Sequence, residues 1–177
     1  MLALKSESSS FPFYLSYFLY LFEISYFQTM LRNFDTPFGK FSVEVYDGSI
    51  RRASFDEIHA YSDILQNGAQ AMSQLHRYCS PLRLQPQGTP FQLKVWNCIG
   101  GVISGKTSTY KEIAWRMGCS SAVRAVASAL SRNPIAYLIP CHRIIRSDGQ
   151  TGGYRWSSSR KKMILNFEST HATFGSA

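Results

Sequence analysis

From Met30 onward the hydrophobic positions run first at a period of two and then at a period of three to four. Phe41-Ser42-Val43-Glu44-Val45-Tyr46 alternates strictly and predicts a strand. Asp47-Gly48-Ser49 is a hairpin turn signal, and Ile50 to Phe55 reads as the partner strand. From Glu57 to Tyr78, apolar side chains fall at Ile58, Tyr61, Leu65, Ala69, Met72 and Leu75, the spacing of one helix face. The stretch 81–90, with three prolines and Gly88, predicts a boundary between two lobes.

The second lobe opens on a helix, with Thr89 as its cap, Pro90 in its first turn, and Phe91, Val95, Trp96 and Ile99 on one face. Gly100, Gly101 and Gly105 then predict a loop. Thr109 with Glu112 three residues on forms a capping box, which opens a helix carrying Ile113, Ala114 and Met117 and ending at Gly118. Ser120 or Ser121 is expected to cap a second helix reaching Arg132, with Val123, Val126, Ala127 and Leu130 facing the core. Helix, glycine turn, helix is the helix-turn-helix pattern. By itself it is weak, because many helical hairpins only pack. The outer face of the second helix adds weight: arginines at both ends, small residues between, and no carboxylate.

Ala136 to Ile139 reads as a short buried strand closed by Pro140, which cannot donate to a ladder. Cys141 then sits on a bend before Ile144, Ile145 and the Ser147-Asp148-Gly149 turn. A last helix, "SSSRKKMILNFE", offers Met163, Ile164 and Phe167 for docking. The expected divisions are 1–29, an aromatic-rich extension; 30–85, an N-terminal lobe; 86–170, a C-terminal domain; and 171–177, a tail. Together these elements predict an α+β fold.

Composition narrows the partners. The 177 residues are 45% hydrophobic and 17% charged, which predicts a packed core rather than disorder. A formal net charge of +8 favours a polyanion, nucleic acid before an anionic membrane surface. The four cysteines form no C-x-x-C pair and the four histidines show no zinc-finger spacing, so no metal site is expected. The cysteines read as reduced and intracellular. Phe11 to Thr29 could be a signal-peptide core. It is short for a membrane span and interrupted by Pro12 and Glu23, and the reading favoured here is a mis-set or appended start.

A cysteine alone is more often inert packing than a nucleophile. Cys79, Cys98 and Cys119 are read that way. A lone His142 is more often a satisfied core histidine. Cys141 differs through its joint context: Cys-His after a proline, a helix-turn-helix upstream, and a basic chain. A thiol with a free pKa of about 8.5 needs a base or a positive field to act. Adjacent residues point apart in an extended chain, so a bridging water between Cys141 and His142 is expected. Glu168 is the candidate for orienting the imidazole.

"IPCHRIIRSDGQTGGYRW" resembles the active-site segment of the O6-alkylguanine-DNA alkyltransferases, and "TPFQLKVW", "TSTYKEIA", "SAVRAVASALSRNP" and "FES" resemble its flanking elements in the same order. The similarity is dense from Thr89 to Ser169 and thin from Met30 to Leu84. Arg155-Trp156, where many members carry Ser-Gly, resembles the bacterial branch.

The resemblance implies a small ribonuclease H-like N-terminal lobe and a mainly helical C-terminal lobe. It implies irreversible transfer of an alkyl group from O6-alkylguanine in duplex DNA, and from O4-alkylthymine, to Cys141, once per molecule. By the same resemblance His142 deprotonates Cys141 through water, Glu168 orients His142, and Asn133 ties the helix-turn-helix to the active-site segment. Tyr110 serves the leaving purine, and Arg124 fills the gap left by a flipped nucleotide. Ala125, Ala127, Ser128 and Arg132 accompany Arg124 on a helix laid in the minor groove. Tyr110, Pro140, Ile144, Tyr154 and Arg155 surround the base. No cofactor, metal or membrane is implied. The protein is expected as a monomer, in the cytoplasm at the nucleoid if bacterial and in the nucleus if eukaryotic. The alternative is a non-catalytic alkyl-lesion sensor, though such relatives replace the nucleophile. A Cys–His hydrolase and a plain DNA-binding regulator are weaker readings.

Overall fold

The computed structural model describes residues 29–56 and 68–171. The aromatic segment before Thr29, the first half of the helix expected from Glu57, and the tail from 172 lie outside the described residues. The fold is α+β.

Three antiparallel strands open it: β1 (Met30–Thr36), β2 (Gly39–Tyr46) and β3 (Ser49–Phe55). β1 has no alternation in its sequence and was not expected. Most of it is exposed, and it is a strand because β2 supplies its hydrogen-bond ladder. The β2–β3 turn places Asp47 at φ 48° and Gly48 at φ 64°, the paired positive values of a tight hairpin. Phe41, Val43, Val45, Ile50, Ala53 and Phe55 form the buried face. Helix α1 (Gly68–Cys79) packs Met72, Leu75 and Cys79 into the core. A two-residue strand β4 (Arg83–Leu84) pairs in parallel with β3.

Helix α2 (Pro90–Gly100) carries a full capping box between Thr89 and Gln92 and buries Val95, Trp96 and Ile99. Strand β5 (Ser108–Thr109) leads into α3 (Tyr110–Arg116), closed by the Thr109–Glu112 capping box. Gly118, at φ 73°, turns the chain toward α4 (Val123–Ser131). Trp96 Nε1 donates to Ala129 O at 2.9 Å and locks α2 to α4.

Three expectations are corrected. Neither Ser120 nor Ser121 caps α4. Its N-cap is Ala122 with no side-chain bond, because the turn closed by Ala122 N–H to Cys119 O leaves both serines at its exposed crest. Ala136 to Ile139 is a buried turn rather than a strand. Ile135 alone bridges to Ala53, and Tyr137 then adopts φ 61°. An apolar run reports burial, and burial does not distinguish a strand from a turn. Finally, the last helix, α5 (Ser158–Thr170), docks on a different face from the one expected. Met163 is exposed, while Arg160, Lys161, Ile164 and Glu168 are buried.

The buried Arg160 fastens the lobes together. It donates to Phe38 O at 2.8 Å, Asp56 O at 2.8 Å and Trp156 O at 3.0 Å. Backbone bonds Ala53 N–H to Pro134 O and Ala136 N–H to Ala53 O join the sheet to the segment that approaches Cys141. Among the described residues, no helix is long and apolar enough to cross a membrane.

Candidate active site

Cys141 begins a single 3-10 turn, Cys141–Arg143, followed by strand β6 (Ile144–Ile145), which pairs in parallel with β5. The turn before it is organised by Asn133, fully buried after the end of α4. Asn133 Oδ1 accepts from Ile135 N–H at 2.9 Å. Its Nδ2 donates to Ile139 O at 3.0 Å and to Cys141 Sγ at 3.1 Å. One amide therefore closes the 133–141 turn and touches the sulfur. The ring of Tyr137 lies flat against His142, with centroids 5.5 Å apart and planes 4° from parallel.

Behind the sulfur is a buried ionic network. His142 Nε2 lies 3.0 Å from Glu168 Oε1. A carboxylate only accepts, so Nε2 carries the proton and Nδ1 presents a lone pair. That Nδ1 is buried without a hydrogen-bond partner among the described residues. Burial lowers the His142 pKa, against the opposing pull of Glu168, so the ring is neutral. Arg143 grips Glu168 with both prongs, Nε to Oε2 at 2.9 Å and Nη2 to Oε1 at 2.7 Å, and donates Nη1 to Val102 O at 2.6 Å. Burial alone would raise the Glu168 pKa. Hydrogen bonds and charge from His142 and Arg143 outweigh it and hold the carboxyl at about 2.

Burial pushes the Cys141 thiol up to about 11, although the Asn133 amide and the Lys161 ammonium pull the other way. Lys161 is itself fully buried and donates to Ile144 O at 2.6 Å; burial lowers it to about 8, with Cys141 opposing. As it stands, then, the sulfur is a protonated thiol at neutral pH. A thiolate forms when the proton moves to a base, and the open Nδ1 of His142 is the buried base nearest in sequence.

Cys141 is reached through a cavity of about 400 Å³ whose walls include Tyr110, Ala127 and Leu130 on one side and Gly153, Tyr154 and Arg155 on the other. Burial raises both tyrosines above their ordinary pKa, and proximity to Cys141 adds to it, so both phenols stay protonated as donors.

Residues 90–170 match the family described as "6-O-methylguanine DNA methyltransferase, DNA binding domain". The methylated-DNA–protein-cysteine methyltransferase of Mycobacterium leprae is 41% identical over 111 residues, which cover 58% of this chain and 67% of that protein. The chain belongs to this methyltransferase family. The Mycobacterium tuberculosis OGT solved in complex with DNA is 30% identical with a TM-score of 0.66, covering 79% of this chain and 92% of that one. The chain also matches the Escherichia coli bifunctional transcriptional activator/DNA repair enzyme Ada, 41% identical over 105 residues, but spans only 30% of its length.

Within this methyltransferase fold, the residues singled out in the sequence fall into three groups. Cys141, Asn133, Tyr110, Tyr154 and Arg155 converge on one cavity, and His142 with Glu168 lies beneath it. Arg124, Ala125 and Arg132 are exposed along α4; Ser128 is half-buried and takes a bond from Arg132 Nη1 at 3.0 Å; Ala127 turns toward the cavity. Pro140 and Ile144 do not line the cavity. The turn at Tyr137 carries Pro140 to the opposite side of the site, and Ile144 is sealed inside β6.

Sequence reading missed two participants. Arg143 figured only as a positive neighbour, yet it anchors Glu168. Lys161 was one of several basic residues on a helix assumed to bury its apolar face. The one available signal was spacing, since Lys161, Ile164 and Glu168 fall at helical intervals on one stripe.

Proposed function

We propose that this protein reverses DNA alkylation directly, moving the alkyl group of O6-alkylguanine, and of O4-alkylthymine, in duplex DNA onto Cys141. The observation that carries the reading is the thiol itself. It sits at the floor of a cavity, with an amide donor on the sulfur and an imidazole–carboxylate pair behind it.

A guanine in a duplex presents O6 among stacked neighbours, so it must leave the stack to reach such a floor. α4 suits that task, with small residues permitting close approach and Arg124 placed to enter the vacated space. His142 Nδ1 takes the thiol proton, directly or through one water, and the imidazolium is stabilised by Glu168. The Asn133 amide and the Lys161 ammonium support the thiolate. The sulfur attacks the alkyl carbon; the S–C bond forms as the C–O6 bond breaks, and the electron pair passes to the purine. Tyr110 donates a hydrogen bond to the departing ring. Tyr154 and Arg155 form the opposite wall. The product thioether has no group arranged to hydrolyse it, so each molecule acts once. No cofactor takes part. The partner is duplex DNA met by a monomer, in the nucleoid of a bacterium or the nucleus of a eukaryote.

Incubation with a duplex carrying O6-[methyl-labelled]guanine tests this. One methyl equivalent should appear on the peptide containing Cys141, and Cys141→Ser should accept none while still binding DNA. Methyl acceptance by the serine variant would refute the assignment.

A further inference from the structure

A second cavity, of about 470 Å³, lies between the lobes against the sheet face opposite the core. β3 brings two consecutive arginines to it. In a regular strand such neighbours would point to opposite faces. Here Val45 pairs with Ile50 and Glu44 with Arg52, so Arg51 is the extra residue of a β-bulge. Bulges re-aim side chains in this way and concentrate near functional sites. Arg51 and Arg52 consequently line the same cavity, and Arg155 joins them from the other lobe.

The three guanidinium groups are held ready rather than neutralised. Arg51 lies 4.5 Å from the centroid of the Tyr46 ring, and its buried Nε–H has no acceptor among the described residues. Arg155 lies over Trp156 at 5.5 Å and donates to Asn133 O at 3.1 Å. Glu44 is the one carboxylate in the lining; it approaches Arg52 Nε only at 3.9 Å, and both side chains are exposed, so the pair is weak. Arginine forks oriented on aromatic faces, with donors unspent, match the geometry of phosphate oxygens.

Position identifies whose phosphate it is. Arg155 also walls the Cys141 cavity, so the two cavities share a side chain. A nucleotide drawn into one leaves its backbone beside the other. We propose that the interlobe groove binds backbone phosphates of the DNA strand running away from the extruded nucleotide, extending the DNA contact from α4 onto the N-terminal lobe. This subsite rests on the alkyl-transfer reading above.

The test is the salt dependence of affinity for a methylated duplex. Each phosphate contact contributes about 0.9 to the slope of log K against log salt. The Arg51→Gln/Arg52→Gln variant should therefore show a slope shallower by roughly 1 to 2, and Arg51→Lys/Arg52→Lys should restore most of it. Arg52→Gln alone, at an exposed position that no fold contact depends on, should lose about 0.9. Transfer from free O6-methylguanine base should stay at the wild-type rate in all three. Unchanged slopes in the Gln variants overturn the proposal. So does loss of thymidine monophosphate binding with an unchanged DNA slope, which would make the groove a free-nucleotide site. Failure of the wild-type protein to take methyl from DNA would instead refute the underlying reading, whatever the slopes.

Discussion

Asn133 carries more of the site than its place at a helix end suggests. Its amide organises the turn and touches the nucleophile, and all three of its bonds are buried. Asn133→Ala leaves the Ile135 N–H and the Ile139 carbonyl without these partners, and should cost about 2–3 kcal/mol in denaturant unfolding. The same variant should slow transfer beyond what its loss of stability explains. Glu168 works through His142. With Glu168→Gln the imidazole loses the charge that favours its protonation, so it becomes a weaker base. The pH–rate profile of methyl transfer should then move to higher pH and its plateau should drop. An unmoved profile would mean that the proton leaves by another route.

At the scale of elements, the helix-turn-helix and the loop 152–155 frame the cavity from opposite sides. Gly152, at φ 69°, would bring any Cβ to 3.3 Å from the Tyr110 hydroxyl and 3.4 Å from Arg146 Cγ. Gly152→Ala should destabilise the fold by about 1–2 kcal/mol through the left-handed backbone alone. It should also displace Tyr110 and reduce the transfer rate more than DNA affinity. Along α4, Arg124 is exposed and makes no contact that the fold needs. Arg124→Ala should therefore leave the melting temperature unchanged. It should impair reaction with a lesion in duplex DNA far more than reaction with the free modified base. Equal losses on the two substrates would argue against a role in filling the stack.

At the scale of the molecule, charge is buried where the lobes and the last helix meet, and this sets the pH range of the fold. The Glu168 carboxyl falls from its ordinary 4.5 to about 2 in the folded chain. Its contribution is complete above pH 4.5 and disappears as pH falls toward 2. A shift of that size corresponds to about 3 kcal/mol. His142 adds to the loss earlier: its folded pKa lies below 6.5, so the unfolded chain binds the proton first and stability begins to decline below that pH. Unfolding free energy followed from pH 7 to 2 should fall in two stages, and Glu168→Gln should flatten the lower one. Protonating Glu168 also strips Arg143 of its counter-ion inside the core, which sharpens the transition.

What the sequence determined by itself was local: the β2–β3 hairpin, the Thr89 and Thr109 capping boxes, the glycine at the helix-turn-helix corner, and the Cys141 motif with its family resemblance. Each depends on residues within a few positions of one another, where backbone preference and side-chain caps act without long-range help. Tertiary structure alone decided the rest. β1 is a strand only because β2 pairs with it. The run before Cys141 is a turn because Asn133 and the sheet hold it so. α5 buries Arg160, Lys161 and Glu168 because their partners (carbonyls of Phe38, Asp56 and Ile144, and the side chains of His142 and Arg143) arrive from distant parts of the chain. A charged side chain reads as exposed until the groups that satisfy it are in place, and those groups meet only once the lobes have closed.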